Sequence, residues 1–397
     1  MTTYPLQGVT VVDLSQIYNG SYATYLLAVN GAKVIKIEPP EGEPLRRRAE
    51  AGGGAELPFA MLNGCKQSIV LNLKKEEGKQ ALRDLVKDAD VLVENFAPGV
   101  LDRLGVGAEA LSQINPRMIY ASSSGYGRDG PYKNYTAMDL TIQAMCGIMH
   151  TTGFPTSPPV KAGPAVADFF AGIHLYGGIL TALFERERTG CARRVEVTMQ
   201  DSVYASLSSN LGSELAPRSG GLGPSRTGNR HGGLAECPYN VYPTRDGYIA
   251  IICVSETHWK NLTGLMDRPD LASDERFATL KGRVDHMDLI DGVVGEWSSG
   301  QSTSSLFTML MEGHVPCAPV RTLSEVINDE NMHSRGSLEW IIHPELGRIP
   351  VQQSPFRFDG VPPIDLTPSR QLGKDNGEIL DTRLGMSQDE IDQATTR

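Results

Sequence analysis

The sequence of 397 residues predicts an α/β protein built on a doubly wound, parallel sheet. Short β-branched, apolar runs alternate with helix-length segments through the first half of the chain, and this alternation is typical of that architecture. The chain is too long for one simple hydrophobic core, which favours two domains. The composition changes to loop-forming residues from Pro217 to Gly233, so we place a domain boundary near this stretch.

The first strand, helix and strand form a predicted βαβ unit. Val9–Leu14 is short, apolar and β-branched, Tyr22–Asn30 has helical spacing, and Val34–Glu38 is a second strand. Ligands of parallel sheets bind in the crevice at the carboxyl ends of the strands. We therefore expect the loop Ser15–Gly20 and the segment Glu38–Arg48 to lie beside a ligand.

Later segments repeat the pattern. The predicted strands are Ser68–Leu73, Val91–Asn95, Met118–Ser122 and Arg193–Met199, and the predicted helices are Glu76–Lys87 and Ala167–Arg188. Beyond the boundary we expect a hairpin over Tyr239–Val254, a proline-punctuated segment Val315–Val320 and a closing helix Gly377–Leu384.

Charge and hydropathy narrow the class of protein. The formal net charge of −10 argues against a nucleic-acid or anionic membrane surface, because both need a dominant cationic field. A small anionic ligand needs only a local cluster of Lys and Arg. We see no apolar run of membrane-spanning length and no signal-peptide pattern at the start. A cytoplasmic protein is the expectation.

Cysteine and histidine give no sign of a metal site or a disulfide framework. The 6 cysteines contain no Cys-x-x-Cys pair, and the 8 histidines form no His-Glu-x-x-His cluster. We therefore expect chemistry without a metal.

Asp168 has two interpretations. It lies among small residues, Ala165–Ala167 before it and Ala171–Gly172 after it, at the predicted start of an apolar helix. It is either a first-turn aspartate that stabilises the helix by about 0.5–2 kcal/mol, or a carboxylate held where a reactive substrate can approach. The residues alone favour the first interpretation.

Ordered motifs extend along almost the whole chain. They are Val12–Leu14 with Asn30–Pro39, Asn63–Asn72, Val91–Gly99, Ala121–Gly127 with Gly130–Tyr132, Ala165–Gly172, Val315–Val320 and Leu372–Leu380. The set resembles the class III CoA-transferases, a family that includes formyl-CoA transferase, the carnitine CoA-transferases and α-methylacyl-CoA racemase. The resemblance implies a Rossmann-like large domain (residues 1–215 and 325–397), a smaller α+β domain (residues 216–324) and an intertwined, ring-like homodimer.

The resemblance also implies the chemistry. Asp168 matches the family's catalytic aspartate, which would attack a donor thioester to form a mixed anhydride and then an aspartyl-CoA thioester. An acceptor carboxylate would displace CoA through a second anhydride. The partners are thus an acyl-CoA and a carboxylic acid, and coenzyme A is a substrate instead of a permanently bound cofactor. Backbone N–H groups would stabilise the oxyanions.

Further site residues are carried over by position. The expected CoA-binding residues are Gln16, Tyr18, Arg46, Lys74, Asn95, Phe96, Arg103, Ala137 and Met138. The expected substrate-binding or flap residues are Asp139, Arg230, His231, Gly232 and Gly233. Plainer interpretations stay open: Arg46 with its neighbours as a solvated loop, Asp139 as a structural residue, and the glycine-bearing stretch as an ordinary loop.

Two residues that differ from the family pattern indicate the branch of the family. Met138 stands where the racemase has its histidine, and a thioether cannot move a proton, so the transferase branch is favoured. Tyr18 stands where formyl-CoA transferase has glutamine, which argues against formate and oxalate. The nearby cations favour a short dicarboxylate acceptor such as itaconate, mesaconate or malate, with succinyl-CoA as donor. The alternatives are a 2-methylacyl-CoA racemase, a carnitine- or formate/oxalate-type transferase, and a non-catalytic CoA-binding protein.

Overall fold

The computed structural model describes residues 4–48, 52, 54–216 and 225–397. The chain divides into two compact units, one of Met1–Ile142, Pro164–Val203 and Ile327–Arg397, the other of Gln143–Gly163 and Tyr204–Val326. Residues 143–163, 204–215 and 325–326, which the sequence analysis assigned to the large domain, therefore group with the second unit. Residues 217–224 of the predicted boundary stretch lie outside the described residues, and the predicted domain limits remain a prediction.

The elements of the described residues are these. The strands are β1 (Thr10–Asp13), β2 (Lys33–Glu38), β3 (Gln67–Val70), β4 (Val91–Glu94), β5 (Ile119–Ser124), β6 (Arg194–Thr198), β7 (Tyr239–Pro243), β8 (Tyr248–Ile252), β9 (Cys317–Pro319), β10 (Leu338–His343) and β11 (Gly347–Gln352). The α-helices are α1 (Asn19–Val29), α2 (Pro44–Arg47), α3 (Leu57–Leu62), α4 (Glu76–Val86), α5 (Val100–Arg103), α6 (Ala108–Ile114), α7 (Asp139–Met145), α8 (Ile148–Thr151), α9 (Val166–Thr189), α10 (Met199–Tyr204), α11 (Ser208–Leu215), α12 (Glu256–Leu265), α13 (Asp270–Ser273), α14 (Leu280–Asp285), α15 (Met287–Ser299), α16 (Thr303–Glu312), α17 (Leu323–Ile327), α18 (Glu330–Ser334) and α19 (Gln388–Thr395). A 3₁₀ turn spans Ala205–Leu207, and a π-helical turn spans Gly377–Arg383 where a closing helix was predicted.

The first unit is built on one sheet of β1–β6. Its strand order is β3-β2-β1-β4-β5-β6, and all its pairings are parallel. The predicted α/β class and parallel sheet are confirmed. Because the strand order reverses between β1 and β4, the loops that follow these strands diverge and leave a crevice at their carboxyl ends.

Helices cover both faces of this sheet. One face packs on α1 and α9, with Val11 and Ala121 buried in that core, and the other packs on α4, α6 and α19. Side chains alternate along a strand, so the residue two positions later faces the same way. Asp13 at the end of β1 and Ser123 near the end of β5 therefore face the layer of α1 and α9.

Helix α9 confirms the apolar helix predicted over Ala167–Arg188, with one further residue at each end. By length and composition alone its residues Val166–Thr189 would suffice to cross a membrane, so the expectation of no such run was wrong. Half of its most apolar window is buried inside the protein. Leu175, Ile179 and Ala182 pack in the core beside the sheet, and this packing accounts for the apolar composition.

The second unit contains a three-stranded antiparallel sheet in the order β7-β8-β9. The predicted hairpin is confirmed as β7 and β8, and the proline-punctuated segment supplies β9. Its core surrounds the buried Trp259. A further antiparallel hairpin, β10 and β11, belongs to the first unit and was missed from the sequence.

Candidate active site

A buried polar network fixes the end of β1. The Asp13 carboxylate accepts hydrogen bonds from Ser15, from the Thr24 hydroxyl at 2.7 Å and from Lys66 Nζ at 3.1 Å. Burial acts to raise the pKa of Asp13, but the charges of Lys66 and Lys36 hold that pKa below its usual range. The ionised carboxylate therefore anchors the loop that follows β1.

Hydrogen bonds to Asn95 and Glu43 fix the loop that follows β1. Asn95 accepts from Gln16 N–H and donates to the Gln16 carbonyl, each at 2.8 Å. Ile17 adopts a positive φ of 63°, which costs energy for a β-branched residue, and its N–H donates to Glu43 Oε2 at 3.2 Å. Gly20 is required next to this loop, because a Cβ there would lie 2.5 Å from Ser15 Cβ.

Asp168 lies in the first turn of α9 but does not cap it. The N–H groups of Ala167 and Asp168 donate instead to Asp139 Oδ1, at 2.9 and 3.4 Å. Within the described part of the chain no hydrogen bond reaches the Asp168 carboxylate. Asp139 thus has the structural role that the sequence analysis left open, and the capping interpretation of Asp168 does not fit this geometry.

The electrostatics of Asp168 differ from those of an ordinary aspartate. Its side chain is largely buried, and burial together with the negative charge of Asp139 raises the pKa of Asp168 to about 7, although the Arg48 guanidinium acts in the opposite direction. Near neutral pH the carboxyl group is therefore poised between its neutral and ionised forms.

Asp168 lines a cavity of about 580 Å³ at the carboxyl ends of the strands. Other predicted residues that line this cavity are Gln16, Asn95, Phe96, Arg103, Ala137 and Met138. A second cavity of about 590 Å³ shares Gln16 and Phe96 with the first and is lined by Lys74. Two cavities with common walls provide room for an extended ligand that carries anionic groups near Lys74.

Tyr18 does not line either cavity but contacts a neighbour of Asp168. Its ring stacks on Phe169, with 5.9 Å between ring centroids, and Phe169 directly follows Asp168 in α9. Arg48 Nη1 donates to the Tyr18 hydroxyl at 3.1 Å, and the guanidinium lies 5.6 Å from the Tyr18 ring centre. These contacts place Tyr18 and Arg48 on the Asp168 side of the site.

Arg46 lies outside both cavities that were just described. Its guanidinium binds the buried Glu38 carboxylate through two bonds of 2.8 and 2.9 Å, and it also lies over the Phe59 ring. Arg46 therefore stabilises β2 in this structure, which does not bring it to the predicted CoA site. The next residue, Arg47, lines the Lys74 cavity instead.

The predicted flap residues Arg230, His231, Gly232 and Gly233 belong to the second unit, whereas Asp139 belongs to the first. Arg230 forms ion pairs with Asp288 and Asp291, both at 2.6 Å. His231 packs edge-on against Tyr239 and accepts from the Gly233 N–H at 3.2 Å. Gly232 lines a separate cavity of about 310 Å³ in the same unit. A role of these residues in a moving flap remains a prediction.

Sequence reasoning missed three residues that line these cavities, two near strand ends and one at the start of α1. Asn19 and Ser123 line the Asp168 cavity, and both are almost completely buried. Asn19 Oδ1 and Ser123 Oγ have no hydrogen-bond partner among the described residues. Glu94, at the end of β4, lines an adjoining cavity of about 360 Å³, and burial raises its pKa to about 7. The available signal was the position of Ser123 and Glu94 at the carboxyl ends of strands and of Asn19 at the start of α1.

The donor set suits an organic ligand. No group of three or more His, Cys, Asp or Glu residues that could hold a metal ion occurs within residues 4–48, 52, 54–216 and 225–397. The lining combines amides, cations and apolar side chains, which is the chemistry expected for a ligand with phosphate, amide and apolar parts.

Comparison with known proteins identifies the family. The family described as CoA-transferase family III matches residues 6–376. Formyl-CoA:oxalate CoA-transferase of Streptomyces coelicolor is 35% identical over 98% of both chains, and succinyl-CoA–D-citramalate CoA-transferase of Chloroflexus aurantiacus is 34% identical over 98% of this chain and 96% of that one. The crystal structure of a CAIB/BAIF family protein from Brucella suis has a TM-score of 0.82 at 33% identity and covers 96% of this chain and 100% of its own. Because these matches extend over nearly the whole chain, the protein belongs to CoA-transferase family III.

Proposed function

We propose that this CoA-transferase moves coenzyme A from an acyl-CoA donor to a short dicarboxylic acid, with Asp168 as the covalent nucleophile. The observation that carries the proposal is the state of the Asp168 carboxyl group. It lines a cavity of about 580 Å³ at the strand ends and accepts no hydrogen bond from the described residues, and Asp139 accepts the helix N–H bonds in its place. An unengaged carboxylate in a partly apolar cavity is suited to attack a thioester.

The proposed reaction consists of four displacements. An Asp168 oxygen attacks the donor thioester carbonyl, the C–S bond breaks, and a mixed anhydride and CoA thiolate result. The thiolate then attacks the aspartyl carbonyl of that anhydride, which releases the donor acid and leaves an aspartyl-CoA thioester. The acceptor carboxylate displaces the thiolate to form a second anhydride, and the thiolate attacks its acceptor carbonyl. Asp168 is regenerated as a carboxylate, and no net proton transfer is needed.

The protein supplies position and electrostatics to these steps. The fixed loop Ser15–Ile17 and the shared wall at Phe96 would hold the CoA arm, while Arg47 and Lys74 would meet its phosphates. The amino end of α1 has no side-chain cap, so its backbone N–H groups are candidates for the oxyanion donors. A partly closed cavity would also keep water from the anhydrides.

A dicarboxylate is the proposed acceptor class for two reasons. The names of the two relatives refer to oxalate and citramalate, both of which are dicarboxylic acids. Arg48 also brings a positive charge close to Asp168. Succinyl-CoA is the proposed donor, with itaconate, mesaconate and malate as proposed acceptors. Oxalate remains the main alternative, since transferases that act on it are among the relatives.

An intertwined, ring-like homodimer in the cytoplasm completes the proposal. It rests on the family membership, and the expected consequence is that no folded monomer persists on dilution. Sedimentation at a series of protein concentrations measures this directly. A monomer that stays folded and active would overturn it.

Mass spectrometry tests the proposed nucleophile. The protein is mixed briefly with acyl-CoA donors, trapped with hydroxylamine, and digested. We expect modification of the peptide that contains Asp168, absent in Asp168→Asn and retained in Asp139→Asn. Folded protein that binds CoA but forms no adduct with any donor would refute covalent catalysis. Exchange of an α-proton for deuterium in a 2-methylacyl-CoA would instead favour the racemase alternative.

A further inference from the structure

We propose that Tyr18 and Arg48 form the subsite that binds the second carboxylate of a dicarboxylic substrate, and that this pair sets the preference for dicarboxylic over monocarboxylic acids. The inference rests on the proposed function, because it assigns substrate selection at the Asp168 site. The family match gives no role to either residue. Tyr18, which the sequence analysis expected to bind CoA, here acts on the acyl group instead.

The position of the pair follows from a chain of contacts. Asp168 is followed in α9 by Phe169, whose ring stacks on Tyr18 at 5.9 Å and also meets Tyr22 edge-on at 5.0 Å. Arg48 completes the chain through its 3.1 Å bond to the Tyr18 hydroxyl. The aromatic rings are held from two sides, so the guanidinium they support has a defined place relative to Asp168.

The charge of Arg48 is available for a substrate. Its neighbour Arg46 is engaged by the buried Glu38 carboxylate, whereas Arg48 has no acidic partner among the described residues. The single bond to Tyr18 uses one guanidinium N–H, and a guanidinium has five. The remaining donors can bind a carboxylate in the bidentate arrangement that Arg favours.

The electrostatic influence of Arg48 reaches the nucleophile. Arg48 is the positive group that lowers the pKa of Asp168, opposing burial and Asp139. A substrate whose reacting carbonyl lies at Asp168 can therefore extend a second carboxylate to the same guanidinium.

Tyr18 has a distinct task in this arrangement. Its hydroxyl accepts from Arg48, and its ring lies near the guanidinium, so it orients a flexible side chain that would otherwise sample many rotamers. Tyr18 is thus a positioning residue, and Arg48 makes the contact with substrate.

The test compares acyl-CoA donors in pairs that differ by the second carboxylate. The rate of covalent labelling at Asp168 is measured with malonyl-, succinyl- and glutaryl-CoA and with acetyl-, propionyl- and butyryl-CoA. A charge-assisted hydrogen bond contributes about 1.5–3 kcal/mol, which corresponds to about 10- to 150-fold in rate. We expect the wild-type protein to prefer at least one dicarboxylic donor over its counterpart by this factor.

The variants separate substrate binding from other roles. Arg48→Met should abolish the preference, and Tyr18→Phe should reduce it by about 3- to 10-fold, as expected for one neutral acceptor. Arg47→Met is the matched control, since it removes the adjacent cation from the Lys74 cavity and should slow both members of each pair equally. If Arg48 acted only through the charge of Asp168, Arg48→Met would slow both members of each pair equally and would leave the preference unchanged.

The outcomes distinguish this inference from the proposed function. Absence of labelling with every donor would overturn both. Labelling without a preference in the wild-type protein, or a preference that survives Arg48→Met, would overturn the subsite and leave the nucleophile intact. A preference removed by Arg47→Met as strongly as by Arg48→Met would also overturn it.

Discussion

The unfolding of an Asp168→Asn variant tests the electrostatics of the site without any substrate. In the folded protein the pKa of Asp168 is raised to about 7, mainly by burial and then by the charge of Asp139. In the unfolded chain an aspartate has a pKa of 3.8. Between these values the unfolded chain has released the proton while the folded protein retains it. The stability of the folded protein must therefore fall as the pH rises through this window.

The size of the effect follows from the two pKa values. A separation of about three pH units at 1.36 kcal/mol per unit amounts to about 4 kcal/mol, reached once the pH exceeds about 7. Asparagine resembles the neutral aspartic acid in shape and cannot ionise. Asp168→Asn should therefore match the wild type near pH 4 and exceed its stability by up to about 4 kcal/mol at pH 8.

Urea unfolding at fixed protein concentration from pH 5 to pH 8.5 measures the difference. The control is Asp139→Asn at pH 5, where Asp168 is protonated in the folded protein. This variant weakens the acceptor for two N–H groups of α9 and should lower the stability by about 0.5–2 kcal/mol. An Asp168→Asn protein that is less stable than the wild type at pH 8 would refute the reasoning, because it would mean that the ionised Asp168 stabilises the helix. Stability profiles of the wild type and Asp168→Asn that run parallel across this pH range would refute the reasoning as well.

Three further predictions concern the frame of the site. Lys66→Met removes the cation that is hydrogen-bonded to the buried Asp13 carboxylate and should cost about 3–5 kcal/mol in denaturant unfolding. A cost below about 1 kcal/mol would mean that the pair is not needed. Gly20→Ala would place a Cβ 2.5 Å from Ser15 Cβ and so displace the loop after β1. Calorimetry should show weakened CoA binding in a protein whose circular dichroism is unchanged, and an unaltered affinity would contradict the close approach. Ser123→Ala removes a buried hydroxyl that has no partner among the described residues and should change the melting temperature little or raise it, whereas a marked decrease would reveal a structural hydrogen bond.

The sheet was predictable because its strands have a simple physical signature. Buried parallel strands such as β1 and β4 are short runs of β-branched and aliphatic residues, and helices of ordinary length separate them. The hairpin β10–β11 lacks that signature. Pro350 lies inside β11 and Gly347 begins it, and both residue types are typical of turns, so the segment resembles a loop when it is viewed without its partner strand.

The site was predictable where the fold alone dictates position. Gln16, Asn95 and Phe96 follow strands of the parallel sheet, and the carboxyl ends of such strands meet at one edge. The three consecutive arginines could not be separated in this way. Arg46 and Arg47 lie in the single turn α2, with Arg48 at its end, where each step rotates the side chain by about 100°. Arg46 binds Glu38, Arg47 lines the Lys74 cavity and Arg48 contacts Tyr18. No sequence pattern predicts the direction in which each of the three side chains points.

Asp168 in the first turn of α9 and Asp139 at the start of α7 divide tasks that one aspartate could not combine. A carboxylate that accepts helix N–H bonds is stabilised as the anion, which lowers its pKa and its nucleophilicity together. Asp139 takes those bonds, so Asp168 keeps its lone pairs and a pKa near the pH of reaction, where basicity and ionised fraction are balanced. In the proposed mechanism the division has a further consequence. Acylation converts Asp168 from an anion beside Asp139 into a neutral anhydride or thioester, so the repulsion and burial that destabilise the free carboxylate also favour its covalent intermediates.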